Sequence, residues 1–525
     1  MSVEERPSRG RCAVADRGMS AGTVVARFSG APYACCPLPS ERERWCVGCF
    51  AQAPAAPATL LRCSKCKWAR YCSRACQTSD WKRHRRECPV LSAAKSPLRE
   101  LADAPATDLL LLGRCLWRRH EAAGAPTADD DAFDALDDAA VSDDDTRLAQ
   151  FAAQLPGLLP PGGWRGAAAG ASSAARLLSC FRVNNFGITN ELQSVIGAGV
   201  YPAAALLNHS CAPNCVLAYD GGAIEVRACA AVAAGDELCH SYVELCQPTG
   251  LRRVQLRERY GFECDCARCR DGLRAGGEDV DEAMMSGTAR GGGAARGGGD
   301  SAAHEGAMAR AVALLDQAAM EEDPWRELEL CRQAAALRRR CCHRRAREDE
   351  RGHTAHGARA RERERVRTPR GGRAAVHVGG DRGGGACSWC ARGQLHACGC
   401  GWRAGARVTR VRVRVGSRGA DRWSTARYEA EGRCLTSALA CGANDEALVC
   451  CRALVAFLET ALAHVPAHPI LSLQRFTLCD LELACGDRAE AQRLMQACSD
   501  AMAISHGEKS ALRQAARERL ADVGS

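Results

Sequence analysis

The chain has 525 residues, with 71 Lys+Arg against 62 Asp+Glu for a formal net charge of +9, and it holds 34 cysteines but only 5% aromatics. That length predicts roughly three or four domains, and a basic excess this small does not by itself predict nucleic-acid binding. The opening Met-Ser-Val-Glu-Glu-Arg lacks an apolar signal core. No run approaches the ~18 apolar residues of a membrane span, so a cytoplasmic or nuclear chain with cysteines at short spacings points to zinc rather than disulfides.

Taken in order, residues 9–32 read as short strands in a hairpin. Arg9-Gly10-Arg11-Cys12-Ala13-Val14-Ala15 leads into Ala21-Gly22-Thr23-Val24-Val25-Ala26, whose β-branched residues favour extended backbone. Then come Cys46-x-x-Cys49, Cys63-x-x-Cys66, Cys72-x-x-x-Cys76 and His84-x-x-x-Cys88. Two knuckles followed by ligands at helical i, i+4 spacing suit tetrahedral zinc, and eight ligands make two closed structural sites. Residues 92–159 read as helical, with Asp129-Asp130-Asp131 and Asp143-Asp144-Asp145 in a solvated acidic loop. Pro160-Pro161-Gly162-Gly163 marks a linker.

The apolar run Val200 to Ala205 delivers Asn208-His209-Ser210-Cys211-Ala212-Pro213-Asn214-Cys215 into the interior, where polar groups cost free energy unless partnered. Ile224 to Arg227 and Val232 to Leu238 read as strands joined by a glycine turn and leading to Ser241-Tyr242. Asp271 to Asp300 is a Gly-rich linker, and Glu305 to Arg340 has helical periodicity. Arg344 to Ala430 is dense in Arg and Gly and reads as disordered, its Cys387, Cys390, Cys398 and Cys400 being incidental. That tract has no aromatic interleaving of the kind that would support DNA binding. Leu435 to Val523 is helical again, with His468-Pro469 at a helix start and Gly486-Asp487 at a turn, a pairing that suggests tetratricopeptide-like packing.

Tyr71-Cys72-Ser73-Arg74-Ala75-Cys76-Gln77 with Trp81 and His84 resembles the MYND zinc finger. In that family ligands interleave, which implies Cys46, Cys49, Cys72 and Cys76 on one zinc and Cys63, Cys66, His84 and Cys88 on the other. MYND fingers are protein-interaction modules, some taking proline-rich peptides, and Gln77 and Trp81 form the implied face. Asn208-His209-Ser210-Cys211-x-Pro213-Asn214-Cys215 with Gly235-Asp236-Glu237-Leu238 and Tyr242 resembles the SET domain of protein-lysine methyltransferases, and Tyr260-Gly261-Phe262-Glu263-Cys264-Asp265-Cys266-Ala267-Arg268-Cys269 its post-SET zinc segment. The order resembles the SET-and-MYND-domain family of lysine methyltransferases over about residues 5–270 and again near the C-terminus.

The resemblance implies an α+β multidomain chain. A β-rich SET fold (1–45 and 176–250) is split by a MYND finger (46–88) and a helical insert (89–175). A post-SET segment (251–270), a linker (271–304), a helical stretch (305–343), the Arg/Gly-rich tract (344–430) and a C-terminal helical domain (431–525) follow. It implies S-adenosylmethionine-dependent methylation of lysine in histone or other proteins, by a monomer needing neither membrane nor nucleic acid. Tyr242, Tyr260 and Phe186 are the implied catalytic residues, with Arg9, Gly10, Asn184, Asn208, His209 and Phe262 at the cofactor. Cys211, Cys264, Cys266 and Cys269 are implied as ligands of a third zinc, while Cys215, Cys239 and Cys246 are left as buried thiols. Cys12 stands where the family's second glycine is expected, and its sulfur is expected to crowd the cofactor. The alternative is a non-catalytic adaptor acting through its finger and helices.

Overall fold

The computed structural model describes residues 1–525 apart from 8, 29–32, 54–58, 93–95, 123–124, 138, 162–170, 273, 276–277, 280, 282–299, 322, 339–424 and 525. Most of the Arg/Gly-rich tract, its four cysteines, Gly162 and Gly163 of the first linker and most of the second linker lie outside the described residues. Contacts divide the chain into two compact units, residues 1–281 with 455–525, and residues 282–454.

The first unit opens with β1 (Ser2–Arg6) and β2 (Gly10–Val14), which pair antiparallel with Arg6 opposite Gly10. Gly10 has φ +66°, a left-handed conformation that glycine adopts without the Cβ penalty. The expected hairpin between β2 and β3 (Val24–Phe28) does not form. The end of β2 and the residue after it bond instead to a distant segment: Leu238 N–H donates to Ala13 O at 2.8 Å, and Ala15 N–H to Asp236 O at 3.0 Å. β3 is thereby freed to reach another sheet. The same exchange reduces the strand expected at Val232–Leu238 to isolated bridges, Met19 with Val232 and Val14 with Glu237.

β4 (Ala34–Pro37) is followed by the finger, a β5 (Leu61–Arg62) and β6 (Arg70–Tyr71) hairpin plus α1 (Arg74–Ser92). The finger has too few apolar residues for a core of its own. It shares one with α2 (Asp103–Glu121), where Trp68, Tyr71 and Leu91 pack in the same buried cluster as Leu109 to Leu112. A buried ion pair between Glu87 on α1 and Arg114 on α2 locks them together.

α3 (Ala128–Asp134) and α4 (Asp143–Ala153) correct the expected acidic loop. Each Asp triplet is the first turn of a helix, where negative charge meets the positive end of the backbone dipole. Thr127 with Asp130 and Ser142 with Asp145 make reciprocal capping boxes, and Asp130 and Asp145 are buried.

After α5 (Ala171–Asn184), β7 (Asn185–Thr189) and β8 (Val195–Val200) complete a sheet of order β4-β8-β7. β9 (Asn208–His209) leads to β10 (Cys215–Asp220) and β11 (Ala223–Ala228), which join β3 in a sheet of order β10-β11-β3. Their turn needs glycine, because a Cβ at Gly221 would lie 2.6 Å from Cys49 O. β12 (Cys239–His240) then runs parallel to β9, with Cys239 opposite Asn208 and His240 opposite His209. Ala13, Leu207, Val226 and Leu238 fill the core beneath this crossing.

α6 (Thr249–Tyr260) stops at Gly261, φ +76°, and α7 (Ala267–Asp271) follows. The expected linker does not begin at Asp271. β13 (Arg274–Ala275) pairs with β14 (Glu278–Asp279), and Asp281 is buried between Arg252 and Arg268, at 2.9 and 3.0 Å.

The second unit comprises α8 (Asp300–Ala319), α9 (324–338), α10 (Thr425–Ala440) and the first part of α11 (Asn444–Ala461). Its helix α10 begins inside the tract expected to be disordered. In the first unit, α12 (Pro469–Cys485) is capped by the His468 side chain and α13 (Arg488–Ser505) by Asp487, as their start signals predict. α13 packs on α12 and α14 (Ala511–Gly524), and its end lies on the β10-β11-β3 sheet. There Arg227 donates to Ile504 O at 2.7 Å and Ala503 O at 3.2 Å. Among the described residues no helix is long and apolar enough to cross a membrane.

Candidate functional site

Among the described residues three clusters of metal-ligating side chains form, each with its donor atoms within 4.8 Å of one another: Cys46, Cys49, Cys72 and Cys76; Cys63, Cys66, His84 and Cys88; and Cys211, Cys264, Cys266 and Cys269. These are the three sets the sequence implies, with the interleaved pairing intact. A tetrahedral zinc with Zn–S near 2.3 Å spaces its sulfurs about 3.8 Å apart. Observed separations of 3.4 Å for Cys46–Cys76, 3.5 Å for Cys49–Cys72, 3.9 Å for Cys63–Cys88 and 3.6 Å for Cys211–Cys269 fit that ion. Groups behind the ligands fit it as well. Glu87 Oε2 lies 4.0 Å from His84 Nδ1, leaving Nε2 to face Cys66 at 3.6 Å. Arg252, fully buried, donates Nε–H to Cys211 Sγ at 3.2 Å, as suits a thiolate.

The third cluster is tied to a group of aromatic rings. His209 Nε2 lies 3.2 Å from Cys211 Sγ, and its Nδ1 accepts the backbone N–H of Tyr242 at 3.0 Å. Burial holds the ring neutral, its pKa pushed down to about 3. A neutral ring accepting at Nδ1 carries its proton on Nε2, directed at the sulfur. Tyr242 lies 4.8 Å from Tyr260 and 5.0 Å from His240 between ring centroids. His240 stacks on Phe186 at 5.7 Å, and Phe262 is 6.1 Å from His209 and 6.5 Å from Tyr260. The Tyr242 hydroxyl donates to Leu207 O at 2.8 Å, and burial raises its pKa above that of an ordinary phenol.

The residues implied at the cofactor divide into two places. Arg9 pairs with Glu237 at 3.0 Å and donates to His209 O at 3.4 Å. Asn208 Nδ2 bonds Arg9 O at 3.2 Å, Arg11 O at 3.3 Å and Glu237 Oε1 at 2.9 Å, so it staples the β1–β2 loop to β9. Gly10 borders open space, with nothing within 4 Å of the position a Cβ would take. Cys12 is fully buried, its Sγ 3.4 Å from Gly10 O and 3.3 Å from Asn208 Nδ2. Asn184 stands at the end of α5, its amide donating to Cys180 O at 2.9 Å and Asp137 O at 2.7 Å.

Residues 46–88 match the MYND finger family. The human "Histone-lysine N-methyltransferase SMYD3" is 31% identical over 239 residues, 43% of this chain and 51% of that protein. The chicken "N-lysine methyltransferase SMYD2" is 30% identical over 274 residues, 50% and 58% of the two chains. This chain is homologous to the SET-and-MYND-domain family. The Arabidopsis thaliana "Histone-lysine N-methyltransferase ASHR1" is also similar, 29% identical over 274 residues, 51% and 55% of the two. The match to these SET-and-MYND proteins spans about half the length of each.

Four residues of this site take no role from the sequence; Glu237 lies inside the Gly235-Asp236-Glu237-Leu238 motif and the other three outside any motif. Glu237 organises Arg9 and Asn208; Arg252 and Asp281 buttress the third cluster; His240 sits among the aromatic rings. Of those three, His240 alone has a positional signal, being two residues before Tyr242 and so on the same face of an extended segment.

Proposed function

We propose that the chain transfers a methyl group from S-adenosylmethionine to a lysine side chain of a protein substrate, the chemistry its relatives are named for. The observation that carries this reading is Tyr242, whose hydroxyl lies half-buried in an aromatic group and already donates its proton to Leu207 O. The open space beside Gly10 fits a cofactor lying along the β1–β2 loop. Arg9, Gly10, Asn208 and His209 would hold it, with Asn184 and Phe262 at its edges. When bound, S-adenosylmethionine supplies an electrophilic methyl on a sulfonium.

The chain's own residues then position and exclude. Because the Tyr242 hydrogen is committed to Leu207, its lone pairs are free to accept an N–H of the incoming amine and aim the nitrogen. The phenol stays protonated, so it is no base, and the proton leaves to water. Tyr260, Phe186 and Phe262 keep the channel dry, and their faces attract a methylammonium by roughly 0.5–2 kcal/mol. The finger, with Trp81 exposed, serves protein contact.

Calorimetric titration with S-adenosylmethionine tests the reading. Tyr242→Phe should leave that affinity within about twofold while turnover falls about 100-fold or more. Unchanged turnover removes the role given to Tyr242, and absence of cofactor binding leaves the adaptor reading.

A further inference from the structure

Cys12 stands in the β1–β2 segment where a glycine is expected, and its thiol is buried among the groups that support that loop. Its Sγ donates to Gly10 O at 3.4 Å and lies 3.3 Å from Asn208 Nδ2. A second thiol faces it from β12. Ala15 N–H donates to Asp236 O and Leu238 N–H to Ala13 O, which makes Val14 and Glu237 an antiparallel pair without direct hydrogen bonds. Two residues along the same register, Cys12 comes opposite Cys239 in the same kind of pair. The Cα atoms of such pairs lie about 4.5 Å apart, inside the window of roughly 4.4–6.8 Å that a disulfide spans.

Alternation along both segments separates two faces. Ala13 and Leu238 enter the core, together with Cys215. Cys12, Glu237 and Cys239 take the other face with Arg9 and Asn208. Glu237 Oε1 bonds Asn208 Nδ2 at 2.9 Å and Arg9 Nη2 at 3.0 Å, and Arg9 Nη2 lies 3.6 Å from Cys239 Sγ. Asn208 is also the residue opposite Cys239 in the β9–β12 pair. Cys12 is 0% exposed and Cys239 7%. Burial first, then Glu237, push the Cys239 thiol up to about 12 against the pull of Arg9, and the same two causes raise Cys12. Thiolate is the reactive form, so the reduced pair persists at neutral pH and closes slowly.

Resting on the reading of this loop as the S-adenosylmethionine site, we propose that Cys12 and Cys239 are a redox-sensitive cross-strand pair whose disulfide, made by peroxide, shuts that site. The Cys239 thiolate attacks one oxygen of hydrogen peroxide, the O–O bond breaks, and a sulfenic acid forms as hydroxide leaves. The Cys12 thiolate then attacks the Cys239 sulfur, making the S–S bond and expelling a second hydroxide. The two thiol protons convert both hydroxides to water, and the two electrons lost by the sulfurs are those gained by the peroxide. Closure draws β2 onto β12 and removes the S–H that Cys12 gives to Gly10 O. Asn208, which lies against both thiols' strands, then loses its hold on the carbonyls of Arg9 and Arg11.

The test treats the zinc-loaded full chain with hydrogen peroxide, maps linked peptides by mass spectrometry, and titrates S-adenosylmethionine before and after. Wild type should yield the Cys12–Cys239 peptide pair, lose about tenfold in affinity, the effect of losing one hydrogen bond, and recover in dithiothreitol. Cys239→Ser and Cys12→Ser should each keep, after peroxide, the affinity each had before it. Oxidation of the zinc-ligand cysteines does not imitate this, because both variants retain all of them. Absence of the linked peptides, a bond from Cys239 to Cys215 instead, or an equal loss of affinity in the variants overturns the pair while the methylation reading stands. No binding by reduced wild type overturns that reading and the switch with it.

Discussion

Residues 46–88 and residues 208–269 both gather cysteines into tetrahedral sets, but they do so at different ranges. The finger draws all eight ligands from one short window, and its two sets hold a hairpin and a helix that lack an independent core. The third set joins Cys211, on a turn at the centre of the fold, to three cysteines beyond α6. Metal at the finger makes local structure. At the third site a bound metal would act as a strut between two parts of the candidate site, because His209 links Cys211 to Tyr242 and α6 ends at Tyr260.

The sharpest way to break this contrast is to remove one ligand from each site. Zinc binding at structural sites is worth on the order of 10 kcal/mol. Cys72→Ser and Cys211→Ser are each expected to lose one zinc equivalent by elemental analysis. Amide exchange should then rise across residues 46–88 in the first variant, and across 208–215 and 260–271 in the second. Only the second should lose methyl transfer beyond about tenfold with core histones as the probe. Equal exchange at 260–271 in both variants would erase the distinction.

A smaller effect is expected behind the third cluster. Asp281 neutralises Arg252 and Arg268, both almost fully buried, so Asp281→Ala strands two charges. Breaking a buried pair of this kind costs about 3–5 kcal/mol. Urea unfolding of the zinc-loaded variant should show that loss, and a change under 1 kcal/mol would mean that the metal alone holds the segment.

Neither prediction touches a contact made without metal. His506, where α13 meets the sheet, is buried beside Arg227 and Arg513, with Glu225 and Glu508 paired to those arginines and Ser505 Oγ 3.0 Å from its Nδ1. Burial first, then the two arginines, push its pKa down to about 4. Its neutral form is thus the stable one, and the unfolded chain takes up a proton first as pH falls below about 6.5. The contribution is complete above that pH and is lost toward pH 4, by at most about 3 kcal/mol. Thermal unfolding between pH 7 and 4.5 should be less steep in His506→Gln than in wild type. An unchanged slope would remove His506 from the account.

Ligand identities were legible because zinc chemistry leaves its spacing in the chain, although the interleaved pairing came from family likeness and not from spacing. Tyr242, Tyr260, Phe186 and Phe262 were legible as an ordered set; the structure links Tyr242, Tyr260 and Phe262 by ring contacts, and Phe186 reaches Tyr242 only through His240. What spacing could not show was which distant segment each strand would choose. β2 and β3 look like hairpin partners until residues 13–19 bond to residues 232–238. The acidic triplets were misread although Thr127-x-x-Asp130 and Ser142-x-x-Asp145 carried the capping pattern openly. Cys12 and Cys239 were hidden as a pair because the register that sets them opposite each other runs through the bonds between residues 13–15 and 236–238.

Arg227 has a consequence in time. Its guanidinium bonds the carbonyls of Ala503 and Ile504, the latter 277 residues further along. At 5–20 residues per second, a ribosome takes roughly 15–60 s to supply them. Until then a cation on the sheet's central strand has Glu225 and Gly22 as its only other bonded partners among the described residues. The pocket's own strands are made early and finished late, so a nascent chain that stalls before α13 holds every residue of the site and still lacks the support of its sheet.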